Sequence, residues 1–278
     1  MRFLIFLMCL AVFPARAVDL AEKTRFPAAA GLYYPANPDD MKKQTRDLLA
    51  AAQGRFRFDG TKIPKAVIVP HNPLTTESGR IAAAGYAALM PLKPFVRRVV
   101  VIAEPQHGRY FGISLSSAKY WAMPSGQKFE TDGALTEKLK KIQGFDFDDT
   151  AFEAEEAIEA QLPFIAAVFR PDIKILPILV DDAGVDQVAD LVDLVWGSLD
   201  TAVIIASNMS KGTAAEKIKA KDAQTARILE KKEDVALKKD RLSAPRPVEG
   251  LLAYLRETGG TVERIDMRVG GNLLSDGL

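Results

Sequence analysis

Hydrophobic positions in this chain fall into two textures that alternate. The first is a short β-branched run without polar interruption: KAVIVP from Lys65, RRVVVIAEP from Arg97, KILPILV from Lys174 and TAVIIASN from Thr201. Such runs read as strands buried on both faces, as in a parallel sheet covered by helices. The second is a longer stretch with apolar residues at helical spacing: PDDMKKQTRDLLAAAQ after Asn37, SGRIAAAGYAALMPL after Glu77, GVDQVADLVDLVWGSL from Gly184 and RPVEGLLAYLRETGG from Arg246. These predict helices. Asn37 or Asp39 caps the first, acidic residues in its opening turn suit the helix dipole, and Gly259-Gly260 stops the last. Lys65 to His107 is therefore a strand–helix–strand unit, with a right-handed crossover expected.

Weaker signals fill the rest. GISLSS (Gly112–Ser117) predicts a strand, KYWAMPSGQKF a loop or strand edge, and TDGALTEKLKKIQ a short helix from about Asp132. EAEEAIEAQLPFIAAVF predicts a helix that Pro163 kinks or divides. Pro177 argues that KILPILV is irregular or at a sheet edge. From Thr213 to Arg241 apolar residues recur at helical spacing among lysines. Acidic residues alternate with those lysines, so the segment reads as one or two solvated surface helices, not a basic binding face. VERIDMRVGG from Val262 predicts a last strand. Without repeats or a linker, the pattern is that of a single α/β domain.

Composition changes this picture mainly at the start. MRFLIFLMCLAVFPARA has a basic residue, an apolar stretch from Phe3 to Phe13 and a small-x-small end at Ala15 and Ala17, the features of a secretory signal peptide. The apolar part is too short to span a bilayer. The expectation is cleavage after Ala17, a mature domain over 18–278, periplasmic or secreted, and no stable membrane insertion. Cys9, the only cysteine, falls inside that signal, so the mature chain has neither disulfide nor thiolate ligand. Of 37 basic residues, loss of Arg2 and Arg16 leaves 35 against 36 acidic, a formal charge of −1 that gives no reason to expect a nucleic-acid partner.

The chain has two histidines, His71 and His107, each at the proline-marked end of a buried-type run. Open α/β sheets bind ligands at the carboxyl ends of their strands. If the two strands are neighbours, about 5 Å apart, the imidazoles converge there. RFPAAAGLYYPANPDDM, VPH followed by SG, the EPQH strand end, EEAIEAQLPF and the ASNMS strand end resemble, in order and spacing, the Memo family, also called AmmeMemoRadiSam system protein B. The resemblance covers nearly all of the mature chain. Memo proteins in turn look like class III extradiol dioxygenases. The resemblance thus implies a three-layer αβα sandwich on a central mixed, largely parallel sheet, with a metal-type site at the strand ends.

Carried over residue by residue, that site is half present. His71 matches the histidine of the family's Pro-His-Ala-Gly-Tyr segment. His107 matches the first histidine of its Pro-Ser-His-His segment, with Gly108 at the second. Glu156 stands at a histidine position, Asn208 at an aspartate, Lys211 at a further histidine and Ser243 at a cysteine. An open iron site needs two histidines and a carboxylate. The metal candidates are therefore His71 and His107, with Glu156 ahead of Glu104 and Glu77 as the carboxylate. A Lys211 ammonium among them repels a metal ion and can replace its charge, or, if desolvated, can serve as a base. Asn208 is the other catalytic candidate, with a helix cap as its plainer role. Two readings follow. One is a degenerate, metal-free pocket in a binding or accessory module for a small molecule or protein. The other is an iron- or copper-dependent redox enzyme using His71, His107 and a carboxylate. No phosphate loop or nucleophile elbow is present, so nucleotide binding and acyl transfer find no support.

Overall fold

The computed structural model describes residues 23–54, 64–107, 112–212 and 214–268. The segment 1–17 expected to be a signal peptide, Gly108 and the far end of the predicted last strand lie outside these residues. In chain order the described elements are β1 (Thr24–Arg25), α1 (Pro38–Ala52), β2 (Ala66–Val69), α2 (Glu77–Leu89), β3 (Arg98–Ala103), β4 (Gly112–Leu115), β5 (Tyr120–Ala122) and β6 (Lys128–Glu130). There follow α3 (Gly133–Leu139), β7 (Phe145–Phe147), α4 (Thr150–Glu153), α5 (Glu156–Glu159), α6 (Leu162–Val168), β8 (Lys174–Asp181), α7 (Val185–Trp196), β9 (Thr201–Ala206), α8 (Ala215–Lys231) and α9 (Pro245–Thr258).

The main sheet has the order β2-β9-β3-β8-β4-β7. β2, β9, β3 and β8 run parallel, and β4 joins β8 antiparallel with β7 beside it. The sheet is thus mixed and mostly parallel, as expected. Helices α1, α2 and α6 contribute to one apolar layer, and α7, α8 and α9 to the other. Every residue of β9 is buried, as are Val99–Ala103 of β3, which is why those runs lack polar alternation. Each fully buried valine or isoleucine there stabilises the fold by about 1.5–3 kcal/mol. The crossover from β2 to β3 steps one way along the sheet and that from β8 to β9 steps back, so right-handed crossovers place α2 and α7 on opposite faces.

Local chemistry explains most boundaries. Asn37 Oδ1 accepts from the N–H groups of Asp39 and Asp40 (2.9 and 3.1 Å), the N-cap of α1. Asp132 caps α3 through Leu135 N (3.0 Å). Pro163 divides its segment as expected: α5 ends before it, and it sits in the first turn of α6, where no N–H is needed. KYWAMPSGQKF forms the antiparallel pair β5–β6, part of a small second sheet with β1.

Three expectations are corrected. β8 lies inside the sheet, not at its edge. Its Pro177 is tolerated because β4 pairs only from Ile178 onward, and Thr131 bridges to Ile175 below it. Residues 261–268 form no strand. Finally, β2 and β3 are not neighbours, because β9 runs between them. By strand spacing His71 and His107 therefore leave the sheet from strands about 10 Å apart.

Candidate functional site

The carboxyl edge is built so that β9 presents Ser207 and Asn208 beside His71. His71 follows the end of β2 through Pro70, and two glycines let α2 close down on that turn. A Cβ at Gly79 would lie 2.2 Å from Leu74 O, and one at Gly85 would lie 2.5 Å from Val69 Cγ1. Thr76 caps α2 by accepting from Ser78 N (3.2 Å) and donates to Pro73 O (2.7 Å). Leu74 N bonds Tyr33 O (2.8 Å), fastening the LYY segment to the same turn.

His71 is 3 % exposed, and its contacts determine its tautomer. Asn208 Oδ1 accepts from His71 N (3.0 Å), which orients the amide so that Nδ2 meets Asn72 Oδ1 (2.8 Å) and His71 Nε2 (3.2 Å). Ser243 Oγ accepts from Asn208 N (2.8 Å) and lies 3.1 Å from His71 Nε2. Nε2 is thus the acceptor and Nδ1 carries the proton. Burial, reinforced by the nearby Lys211 charge, pushes the imidazole down to about 4, so it is neutral at ordinary pH. Nδ1 has no partner among the described residues. Asn208 is therefore not a helix cap. The Ser243–His71 contact does not make a nucleophile, since a base of such low pKa is a weak proton acceptor and no third group orients it.

His107 belongs to a different cluster. Its side chain is 62 % exposed, and Nε2 lies 2.8 Å from Glu156 Oε2. Tyr33 donates to the other oxygen of Glu156 (3.0 Å). Burial first, and Glu156 second, hold the Tyr33 hydroxyl well above its usual range. The EEAIE segment gives each glutamate a separate task. Glu155 accepts from Gln106 N (3.1 Å) and from Ala157 N (2.7 Å), and burial raises it to about 7. Glu159, fully buried, gathers Arg25, Ala28 N, Ala29 N and the Tyr34 hydroxyl. Gln161 reaches Pro70 O (3.4 Å) and accepts from Tyr86 (3.2 Å). The block that carried the resemblance is thus a clamp on both strand ends.

Glu104 and Glu77 do not join either histidine. Glu104 is buried, pairs with Lys239 (3.2 Å), and is raised to about 7 by its burial. Glu77 pairs with Arg80 and Arg268. Lys211 is exposed. Tyr33, the hydroxyl on Glu156, and Asn72, the partner of Asn208, were missed in the sequence. Tyr33 lies inside the RFPAAAGLYYPANPDDM segment and Asn72 directly follows His71, and nothing in their spacing shows that they fold back.

A profile described as Memo-like protein matches residues 25–251. This chain belongs to the Memo family. A MEMO1 family protein of Aquifex aeolicus is 33% identical over 205 residues, 72% of each chain. One from Methanosarcina barkeri is 33% identical over 189 residues, 66% of each, and one from Caldivirga maquilingensis is 30% identical over 202 residues, 66% of this chain and 67% of its own. The metal-type site that the dioxygenase likeness implies does not fit the donors of this Memo protein. Among the described residues no three His, Cys, Asp or Glu side chains come together as a metal-holding group. The lone pair of His71 is engaged by its own neighbours, and its orphan nitrogen is a donor, which calls for an acceptor and not a cation.

Proposed function

We propose that this chain is an exported Memo-family protein whose pocket at the carboxyl edge of the sheet takes a small ligand without a metal ion, as a binding or accessory module. The observation that carries this reading is the state of His71: Nε2 satisfied within the Asn208–Ser243 cluster, and Nδ1–H buried without a partner. A buried donor favours an acceptor oxygen, and the charge of Lys211, felt at His71, favours that oxygen on an anion such as a carboxylate. Export rests on the character of residues 1–17.

The test is thermal unfolding of the full chain with a panel of small mono- and dicarboxylates, beside Lys211→Ala and Glu77→Gln. A ligand at about 100 times its Kd adds about 2.7 kcal/mol, hence several degrees in Tm. A saturable rise that Lys211→Ala loses and Glu77→Gln keeps supports the reading, and no saturable rise with any member overturns it. The second reading, an iron or copper redox enzyme with a dioxygenase-like fold, draws on the His107–Glu156 contact, which places an imidazole and a carboxylate together. It requires His71 to turn from Asn208 and Ser243 towards them.

A further inference from the structure

Between α8 and α9, residues 233–244 have no regular structure and run as a strap across the carboxyl ends of three neighbouring strands, β9, β3 and β8. At the end of β9, Asn208 O accepts from Ser243 N (2.9 Å) and Ser207 Oγ from Ala244 N (3.1 Å). Ser243 Oγ in turn accepts the Asn208 N–H and meets His71, so this part of the strap is one wall of the His71 cluster. Four residues earlier, Lys239 Nζ reaches Glu104 Oε1 (3.2 Å), just past the end of β3, and Asp181 Oδ1 (3.7 Å), the last residue of β8. Behind the strap, Asp240 pairs with Lys221 of α8 (3.0 Å), and Leu237 N donates to Glu249 of α9. These attachments differ in what they need. The bonds of Ser243 and Ala244 join neutral groups, and Asp240 is held below its usual range by Lys221. The pair at Glu104 joins an ammonium on a side chain 65 % exposed to a carboxyl on a side chain 3 % exposed, whose Oε2 has no hydrogen-bond partner among the described residues. Charge is costly on a carboxyl so placed.

We infer that Glu104 and Lys239 form a proton-operated latch on the strap: the ionised carboxylate holds Lys239 down, and a proton on Glu104 frees it and loosens the wall that Ser243 lends to the His71 cluster. Three charged groups face Glu104. Lys239 of the strap and Arg246 of α9 favour its ionised form, Arg246 while bound to Glu249 (2.8 Å), and Asp181 of β8 opposes it. Burial outweighs the two cations and raises the carboxyl to about 7. The latch therefore closes as pH rises through about 7 and opens as it falls. His71 takes no part in that window, since it stays neutral down to about 4. The pair offsets part of the cost of ionising Glu104 and not all of it, so the strap tightens on the alkaline side while the fold as a whole gains nothing. Its bearing on a ligand rests on the reading given above; the latch itself rests on the strap's own contacts.

The test is hydrogen exchange by mass spectrometry on the full chain at pH 6 and pH 8, with rates corrected for the intrinsic effect of pH on exchange. Amides of 235–244 should be at least about threefold better protected at pH 8, while those of β9 gain no protection. In Glu104→Gln, which cannot ionise, the strap should exchange alike at both pH values. Lys239→Met removes only the exposed ammonium and leaves Glu104 free to titrate, and there too the rise should be lost. A native strap with equal protection at both pH values overturns the inference. So does a full rise kept in Glu104→Gln, which assigns the effect to another group, or kept in Lys239→Met, which shows that the charge of Glu104 acts without the latch. No ligand is present, so the outcome is independent of the carboxylate panel.

Discussion

Asn208→Asp exchanges a hydrogen-bond donor for an anion beside His71. In the native cluster Nδ2 of Asn208 lies 3.2 Å from His71 Nε2 and 2.8 Å from Asn72 Oδ1. The carboxylate would set oxygen against two acceptors, and protonating His71 at Nε2 relieves the conflict. At 3.2 Å and an effective dielectric of 20 the resulting ion pair is worth about 5 kcal/mol, or about 4 pKa units. Desolvation of the new carboxylate removes part of this, so we expect a rise of about 2 units or more, from about 4 to about 6 or above. NMR titration of the imidazole Cε1–H reads it directly, with His107→Gln to assign the two signals. The sign carries over to stability. Native His71 has a folded pKa below its unfolded one, so the unfolded chain binds the proton first and stability is lost as pH falls from about 6.5 to about 4, by up to about 3 kcal/mol. In Asn208→Asp that acid loss should shrink or vanish, while at neutral pH the lost bond to Asn72 costs about 1–2 kcal/mol. A His71 pKa still near 4 in the variant, with an unchanged acid profile, would refute the amide orientation and the tautomer built on it.

Other consequences are open to simpler measurements. Gly79→Ala puts a Cβ 2.2 Å from Leu74 O, so the turn carrying His71 must shift; a loss of about 2–3 kcal/mol is expected by urea unfolding, and an unchanged midpoint would contradict the close approach. Glu159→Gln leaves Arg25 and three other buried donors facing an amide, and should cost about 3–5 kcal/mol, read by the same method. Glu104 has a folded pKa near 7, raised above its unfolded value, so its contribution is full below about pH 4.5 and lost as pH rises through 7. Glu104→Gln should therefore gain stability relative to the native chain between pH 5 and pH 8, by about 1–2 kcal/mol, and a constant difference across that window would count against its burial as a charge.

Much of the fold could be read from hydrophobic texture, because strands buried on both faces and amphipathic helices differ in kind. β3 and β9 have no polar position to confuse the pattern, and Asn37, Asp132 and Pro163 act at helix ends through their own side chains. The order of strands is different. Nothing in the run TAVIIASN says that it lies between β2 and β3, yet that insertion moves His107 away from His71 and brings Asn208 against it. β7 was missed because FDF is three residues long with a charged centre. VERIDMR has strand-like composition, yet residues 262–268 form no strand, and ion pairs tie Arg264 to Glu230 and Arg268 to Glu77. The family match named His71, Asn208 and Ser243 without showing that they meet, nor that Ser243 and Asn208 satisfy the imidazole nitrogen a metal would need. Tyr33 stayed hidden for the same reason: its partner, Glu156, is distant in the chain.

The central claim is that the His71 pocket takes its ligand without a metal. Its most direct test is elemental mass spectrometry on tag-free protein equilibrated with iron(II), copper and zinc, beside a His71→Ala/His107→Ala control. The account expects metal well below one equivalent and no difference from the double variant. Near-stoichiometric metal that the double variant loses would contradict it and restore the redox reading.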